Sequence, residues 1–242
     1  MSTNNLKSLI DDEQFFHHFQ PLYHLKKRKR IGYEVLFRSK LFQNPEMAFQ
    51  TAIAENCLYE LEIKNIQKAI YSYSRISGMT ERDKLFINVY PSTLTQPAFL
   101  KFMHKLLLET HIKSYQIILE INESEVVCNT SLLQDRIAEL KKLGYFIAID
   151  DFGKGTASLR ALIEFTPDFI KMDRYFADGL AASESKQEMI KSIVTFCEST
   201  NVYLIQEGIE NQKELSIIHT LGVQFGQGYL LGKPAPLRGV EV

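Results

Sequence analysis

The chain has 242 residues, 45% of them hydrophobic and 24% charged, enough apolar matter to bury a large core within a single barrel-sized domain. Twenty-eight basic against 29 acidic residues leave a formal net charge of -1, which excludes a global field that would draw the chain to nucleic acid or an anionic membrane, so an anionic ligand has to be recognised locally. Cys57, Cys128 and Cys197 are odd in number, far apart and in no C-x-x-C arrangement, which argues against a disulfide framework and a thiolate metal site. The opening residues lack the basic start and apolar run of a signal peptide, and no run of about 18 uncharged apolar residues occurs to span a membrane. The cytoplasm is the expected compartment.

In chain order, FHHFQPLYH (residues 16 to 24) and RIGYEVLFR (residues 30 to 38) are joined by the charged stretch LKKRKR. Two short strands with so tight a connection are antiparallel neighbours, because a parallel pair needs a crossover of a dozen or more residues. The basic run at the tip is expected to be a solvated turn that discourages edge pairing rather than a phosphate site. From residue 45 onward helical and strand patterns alternate. NPEMAFQTAIAEN and YELEIKNIQKAIYSYSRI carry helical spacing, KLFINV is a strand, FLKFMHKLLLET a helix, YQIILEI a strand, and SLLQDRIAELKKLG a helix stopped by Gly144. YFIAIDD, the helical TASLRALIEF, the strand DFIKMD, the helix KQEMIKSIVTFCEST, the strand VYLIQE, the helix NQKELSIIHTLG and a short strand near QFGQG complete the pattern. Eight strands alternating with helices predict an α/β barrel whose first strand runs against the others. No repeat or Pro/Gly-rich linker marks a second domain.

Five of these apolar runs end on polar side chains: Asn88, Glu120, the Asp150–Asp151 pair, Lys171 with Asp173, and Glu207. In a parallel barrel such endings gather at the C-terminal rim. Together with Glu34 they offer oxygen donors from several strands, a set suited to Mg²⁺ or Mn²⁺. The six histidines show no zinc-ligand spacing. Gly153 and Gly155 can turn the backbone so that Asp150 and Asp151 both face one site and bridge two cations. The same DDFGKG segment also suits a plain turn in which Asp151 caps the next helix. Lys171 is a candidate to hold a nucleophilic water and Glu207 to take its proton. The other possibility for Lys171 is a rim ion pair with Asp173 or Asp168. Arg38 lies four residues after Glu34 on the same face and is suited to a phosphate.

YEVLFR (residues 33 to 38) resembles the E-A-L-x-R signature of the EAL family of cyclic di-GMP phosphodiesterases. FQPLY, FINV, LEINES, IAIDDFGKG, FIKMD, IQEGIEN and QGYLLGKP follow in that family's order, from about Phe15 to Pro236. The resemblance implies a modified TIM-type (β/α)8 barrel with an antiparallel first strand; one domain over residues 1–242, with no sensory domain attached, is the expectation from the chain itself. It implies hydrolysis of one phosphodiester of cyclic di-GMP to linear pGpG with two Mg²⁺ or Mn²⁺ ions, with a homodimer as the family's usual assembly. Glu34, Asn88, Glu120, Asp150, Asp151 and Gln227 match the metal centre, Lys171 and Glu207 the catalytic pair. Gln20, Arg38, Asp173 and Glu210 fall on the substrate side, and Glu123 matches a residue that braces the loop after the aspartate pair. Val35 replaces the signature alanine, Gln206 stands where an alanine usually precedes the base, and Thr156 with Ala157 replace Tyr-Ser. The alternative function is a nonhydrolytic cyclic di-GMP receptor acting through a protein partner; the complete set of acids, amide and lysine argues for catalysis.

Overall fold

Alternation within the strands decides the architecture. In the computed structural model, which describes residues 2–76, 80–122, 130–154 and 159–237, the chain runs α1 (Ser2–Asp11), β1 (Phe15–His24), β2 (Lys29–Ser39), α2 (Pro45–Ala54), α3 (Leu58–Ser74), β3 (Lys84–Asn88), α4 (Pro91–Leu94), α5 (Phe99–Thr110), β4 (Ile117–Asn122), α6 (Thr130–Lys142), β5 (Phe146–Phe152), α7 (Leu159–Phe165), β6 (Phe169–Met172), α8 (Glu184–Thr200), β7 (Tyr203–Gln206), α9 (Gln212–Thr220) and β8 (Phe225–Gly226). The eight strands close into a barrel in sequence order. β1 pairs antiparallel with both β2 and β8, and the remaining pairs are parallel. The alternating pattern therefore gives the expected barrel with a reversed first strand.

Leu22, Phe86, Ile118, Ala148, Phe169 and Ile205 form one buried cluster drawn from six strands, the plug of the barrel. Their neighbours in sequence, among them Leu85, Ile87, Ile117, Leu119, Ile147, Ile149, Ile170 and Leu204, pack in the larger cluster against the helices. Side chains therefore point alternately inward and outward. Gly32 continues the inner row where no side chain fits, since a Cβ there would lie 2.0 Å from the Lys84 carbonyl oxygen. The tip of the β1–β2 hairpin, with Lys26, Lys27 and Arg28 exposed, is the solvated turn the charge run predicts.

The helix α1 has no counterpart in the sequence pattern above. Its Leu6 and Leu9 are buried with Phe15, Phe37, Phe42, Ala48, Ala52 and Leu61, so a short stripe of two leucines becomes helical by docking rather than by propensity. Helix ends follow the residues available to them. Asn44 caps α2 by accepting from the Glu46 amide at 3.0 Å, with Pro45 at the first helical position. Asn211 and Glu214 form a reciprocal capping box on α9. Cys197 is buried and Cys57 half-buried, both as free thiols, while Cys128 lies outside the described residues.

His17 on β1 is buried beneath α3, with its Nε2–H donating to Asn65 Oδ1 at 2.8 Å. Burial pushes its pKa down to about 4; the Asn65 bond opposes the shift and Lys68 adds to it. A base whose folded pKa is depressed contributes stability above its unfolded pKa, about 6.5, and loses it as pH falls toward 4. The wild-type protein is expected to lose about 3 kcal/mol across that interval from this group. Urea unfolding at a series of pH values should show a flatter acid limb for His17→Gln than for wild type.

Candidate metal and catalytic site

One step beyond the barrel plug, toward the C-terminal rim, the inward row changes from carbon to oxygen and nitrogen. Phe86 is followed two residues on by Asn88, Ile118 by Glu120, Ala148 by Asp150, Phe169 by Lys171, Ile205 by Glu207 and Phe225 by Gln227. Gly32 stands in the same relation to Glu34, and Gln20 to Leu22 on the reversed strand. The plug closes the barrel below, so the polar residues form the floor of a cup whose walls are strand ends.

Lys171 Nζ sits at the centre of that floor and is fully buried. It lies 2.8 Å from Glu120 Oε1, 2.9 Å from Asp150 Oδ1, 2.9 Å from Glu207 Oε1 and 3.4 Å from Glu34 Oε1. The rim ion pair with Asp173 or Asp168 does not form. Asp168 binds Lys141 and the Ile147 amide, and Asp173 accepts from the Tyr175 amide. Oxygens of Glu34, Glu120 and Asp150 lie within 4.8 Å of one another. The Asn88 amide nitrogen donates to Glu120 Oε2 at 3.2 Å and to Glu34 Oε1 at 3.4 Å, and Gln227 Nε2 donates to Glu34 Oε2 at 2.6 Å.

One ammonium among four carboxylates leaves the cup with excess negative charge, and burial and that charge together shift the proton affinity of its members. Burial raises the Glu120 carboxyl well above the usual range; Lys171 opposes this, while Glu34 and Asp150 add to it. Glu207 is pushed up to about 8, again chiefly by burial, with Lys171 opposing and Asp150 and Glu34 reinforcing. Burial alone would lower the Lys171 ammonium, yet Asp150, Glu120, Glu207 and Glu34 together hold it well above its ordinary value.

This donor set fits a hard divalent cation. Among the described residues Glu120 Oε1, Asp150 Oδ1, Gln227 Oε1 and Lys171 Nζ are buried without a well-directed hydrogen bond, which leaves acceptor capacity over around Lys171. Rotating the Asn88 and Gln227 amides by half a turn would present their oxygens to an ion instead of their nitrogens. Glu34, Glu120 and Asp150, with Asn88 and Gln227 beside them, are the residues able to hold it.

The other expected residues lie around this centre rather than in it. Asp151 lies within a register shift of the β5–β6 ladder, between Ile149 and Phe152, and adopts φ 55. Its carboxylate pairs with Lys154 at 2.9 Å, and it stands outside the cluster of three acids. The irregularity that aims Asp150 inward thus resides in Asp151 itself, at a bulge. The i,i+3 spacing of Asp151 and Lys154 was the available signal for that pair. Arg38 donates to the Phe37 carbonyl at 2.7 Å and makes no ion pair with the cup among the described residues. Gln20 donates to the Gly232 carbonyl at 3.1 Å, joining β1 to the closing segment of the chain. Glu210 pairs with Arg174 at 3.3 Å on the exposed rim. Glu123, Gly155, Thr156 and Ala157 lie outside the described residues.

Comparison with known proteins agrees with this geometry. The family model described as EAL domain matches residues 3–234. The probable cyclic di-GMP phosphodiesterase PdeA of Escherichia coli is 26% identical over 238 residues, covering 97% of this chain and 32% of that protein. The cyclic di-GMP phosphodiesterase PdeB of Shewanella oneidensis is 28% identical over 235 residues, covering 94% of this chain and 27% of the relative. The chain thus spans about a third or less of these relatives' length. The Klebsiella pneumoniae BlrP1 structure in complex with manganese and cyclic di-GMP superposes with a TM-score of 0.83 at 26% identity, over 92% of this chain and 56% of that one. With a match along nearly its whole length and a reversed-strand barrel carrying an acidic cup, the chain belongs to the EAL domain family.

Proposed function

We propose that the chain hydrolyses one phosphodiester of cyclic di-GMP to linear pGpG, with two divalent cations, Mg²⁺ or Mn²⁺: Glu34, Asn88, Glu120, Asp150 and Gln227 would hold them, and Asp151 would join on turning away from Lys154. The observation that carries the reading is the buried cage of Glu34, Glu120, Asp150 and Glu207 around Lys171. Relatives named as cyclic di-GMP phosphodiesterases support the substrate. Cations, when bound, supply positive charge to the phosphoryl oxygens and acidify the attacking water.

The protein's own groups do the rest. Glu207 takes a proton from the attacking water, and Lys171, 2.9 Å away, orients that water and steadies the carboxylate. The water oxygen bonds to phosphorus as the bond to the 3′ oxygen opens. That oxygen takes a proton from solvent and leaves as the 3′ hydroxyl, Glu207 returns its proton to solvent, and the new phosphate end remains on the 5′ side. Arg38, freed from the Phe37 carbonyl, is assigned to the phosphate charge, and Gln20, Asp173 and Glu210 to the substrate side of the rim.

Incubating the purified chain with cyclic di-GMP and Mg²⁺ or Mn²⁺, and separating the products by anion exchange, should convert the cyclic dinucleotide to pGpG. Chelation should stop the reaction and either cation restore it. Binding without conversion at saturating cation would make the chain a receptor instead.

A further inference from the structure

Gln206 is a polar side chain with no exposed surface, located where the two catalytic strand ends meet. It is the last residue of β7, so its side chain points away from the cup while that of Glu207 points in. Its Nε2 donates to the carbonyls of Glu207 at 3.0 Å, Asp173 at 3.2 Å and Met172 at 3.3 Å. Two N–H groups thus serve three acceptors on two strand ends. Beyond this point the β6–β7 ladder supplies one further bond, from the Glu207 amide to Met172 O at 3.1 Å.

We infer that Gln206 is a positioning residue that staples the end of β6 to the end of β7 and so holds Lys171 and Glu207 at their working separation. Resting on the proposed hydrolysis, the inference names a part of this chain that the catalytic pair does not include. Lys171 and Glu207 each lie within one peptide unit of a carbonyl that Gln206 grips, and their side chains meet at 2.9 Å. The same junction is drawn close elsewhere. Gly208, at φ +69, sits against Arg174, where a Cβ would come within 2.4 Å of the Arg174 Cβ, and Arg174 reaches Glu210 across the rim. An apolar side chain of equal length would fill the space of Gln206 without joining the two ends. Among the described residues the buried Oε1 has no hydrogen-bond partner, so this glutamine carries a desolvation cost that an apolar filler would avoid.

The test compares wild type with Gln206→Met, and with Gln206→Ala should the methionine variant fail to fold. Misplacing reacting groups by about 1 Å costs on the order of 100-fold in rate. Because the two strand ends are also held by the Glu207 amide, kcat should fall by about 10- to 100-fold, with KM within about twofold of wild type. Hydrogen exchange should quicken in peptides covering residues 172–176 and 206–210 and stay unchanged elsewhere. Wild-type kcat in the variant would overturn the inference. So would a loss shared by KM, or faster exchange throughout the barrel, either of which would mark Gln206 as a general stabiliser. If wild type itself leaves cyclic di-GMP intact, the functional proposal fails, and local exchange still decides whether Gln206 staples the strand ends.

Discussion

Lys171→Met should sharply slow turnover and, in metal-free protein, produce a loss of stability that deepens as pH rises. The ammonium is the only cation in contact with Glu34, Glu120, Asp150 and Glu207 among the described residues. Removing one partner of a buried charge cluster typically costs about 3–5 kcal/mol, because the remaining charges lose their compensation. For a chain of this length each kcal/mol moves Tm by about 2–4 °C, so the metal-free variant should melt roughly 6–20 °C below wild type near pH 8. At pH 6 the difference should shrink, since Glu120 and Glu207, already raised by burial, can take up protons in place of the lost positive charge. Removing the group proposed to orient the water and support the base should cut kcat by about 10²- to 10⁴-fold even at saturating cation. Calorimetry with and without Mn²⁺ at the two pH values separates the effects. A metal-free Lys171→Met protein as stable as wild type at pH 8 would mean that the cage is not held by that ammonium.

Much of this cup is legible in the sequence because barrel strands obey a period of two. A residue that follows an inward apolar side chain by two positions must also face inward, one layer higher, so polar residues ending apolar runs converge without any knowledge of contacts. Asn88, Glu120, Asp150, Lys171 and Glu207 follow that rule and do meet. Residues at an irregularity in the ladder escape it, since strict alternation is broken there. Asp151 sits in a left-handed conformation at a bulge and turns to Lys154, which a uniform strand pattern does not anticipate. The partners of Arg38 and Gln20 are backbone carbonyls, one adjacent and one 212 residues away, and no side-chain pattern encodes a carbonyl. The helix α1 is invisible for a related reason, because its two buried leucines acquire meaning only against Phe15, Phe37 and Leu61. Gln206 shows as a departure from the family pattern, whereas its three acceptors emerge only when β6 and β7 lie side by side.

Divalent cations should stabilise the protein increasingly as pH rises, and Glu207→Gln should weaken that trend. Glu207 has a folded pKa of about 8, raised above its ordinary value of 4.5. An acid whose folded pKa is raised favours folding in its protonated form, so its contribution is complete below about 4.5 and is lost as pH climbs through 8. Across that interval the metal-free protein should therefore lose stability, Glu120 acting in the same direction. A bound cation replaces the missing protons with fixed positive charge, and its affinity rises as the carboxylates ionise. At a cation concentration of about 100 times Kd the gain is about 2.7 kcal/mol, or roughly 5–11 °C in Tm. Near pH 5.5, where cation and protons compete for the same oxygens, the increment should be much smaller. Glu207→Gln removes one titrating group from the cup and should flatten the metal-free pH profile between 4.5 and 8. Because it also removes the proposed base, kcat should fall about 10²- to 10⁴-fold while Mn²⁺ still raises Tm through Glu34, Glu120 and Asp150. A cation-induced shift that is the same at pH 5.5 and pH 8 would show that the ion binds away from these carboxylates.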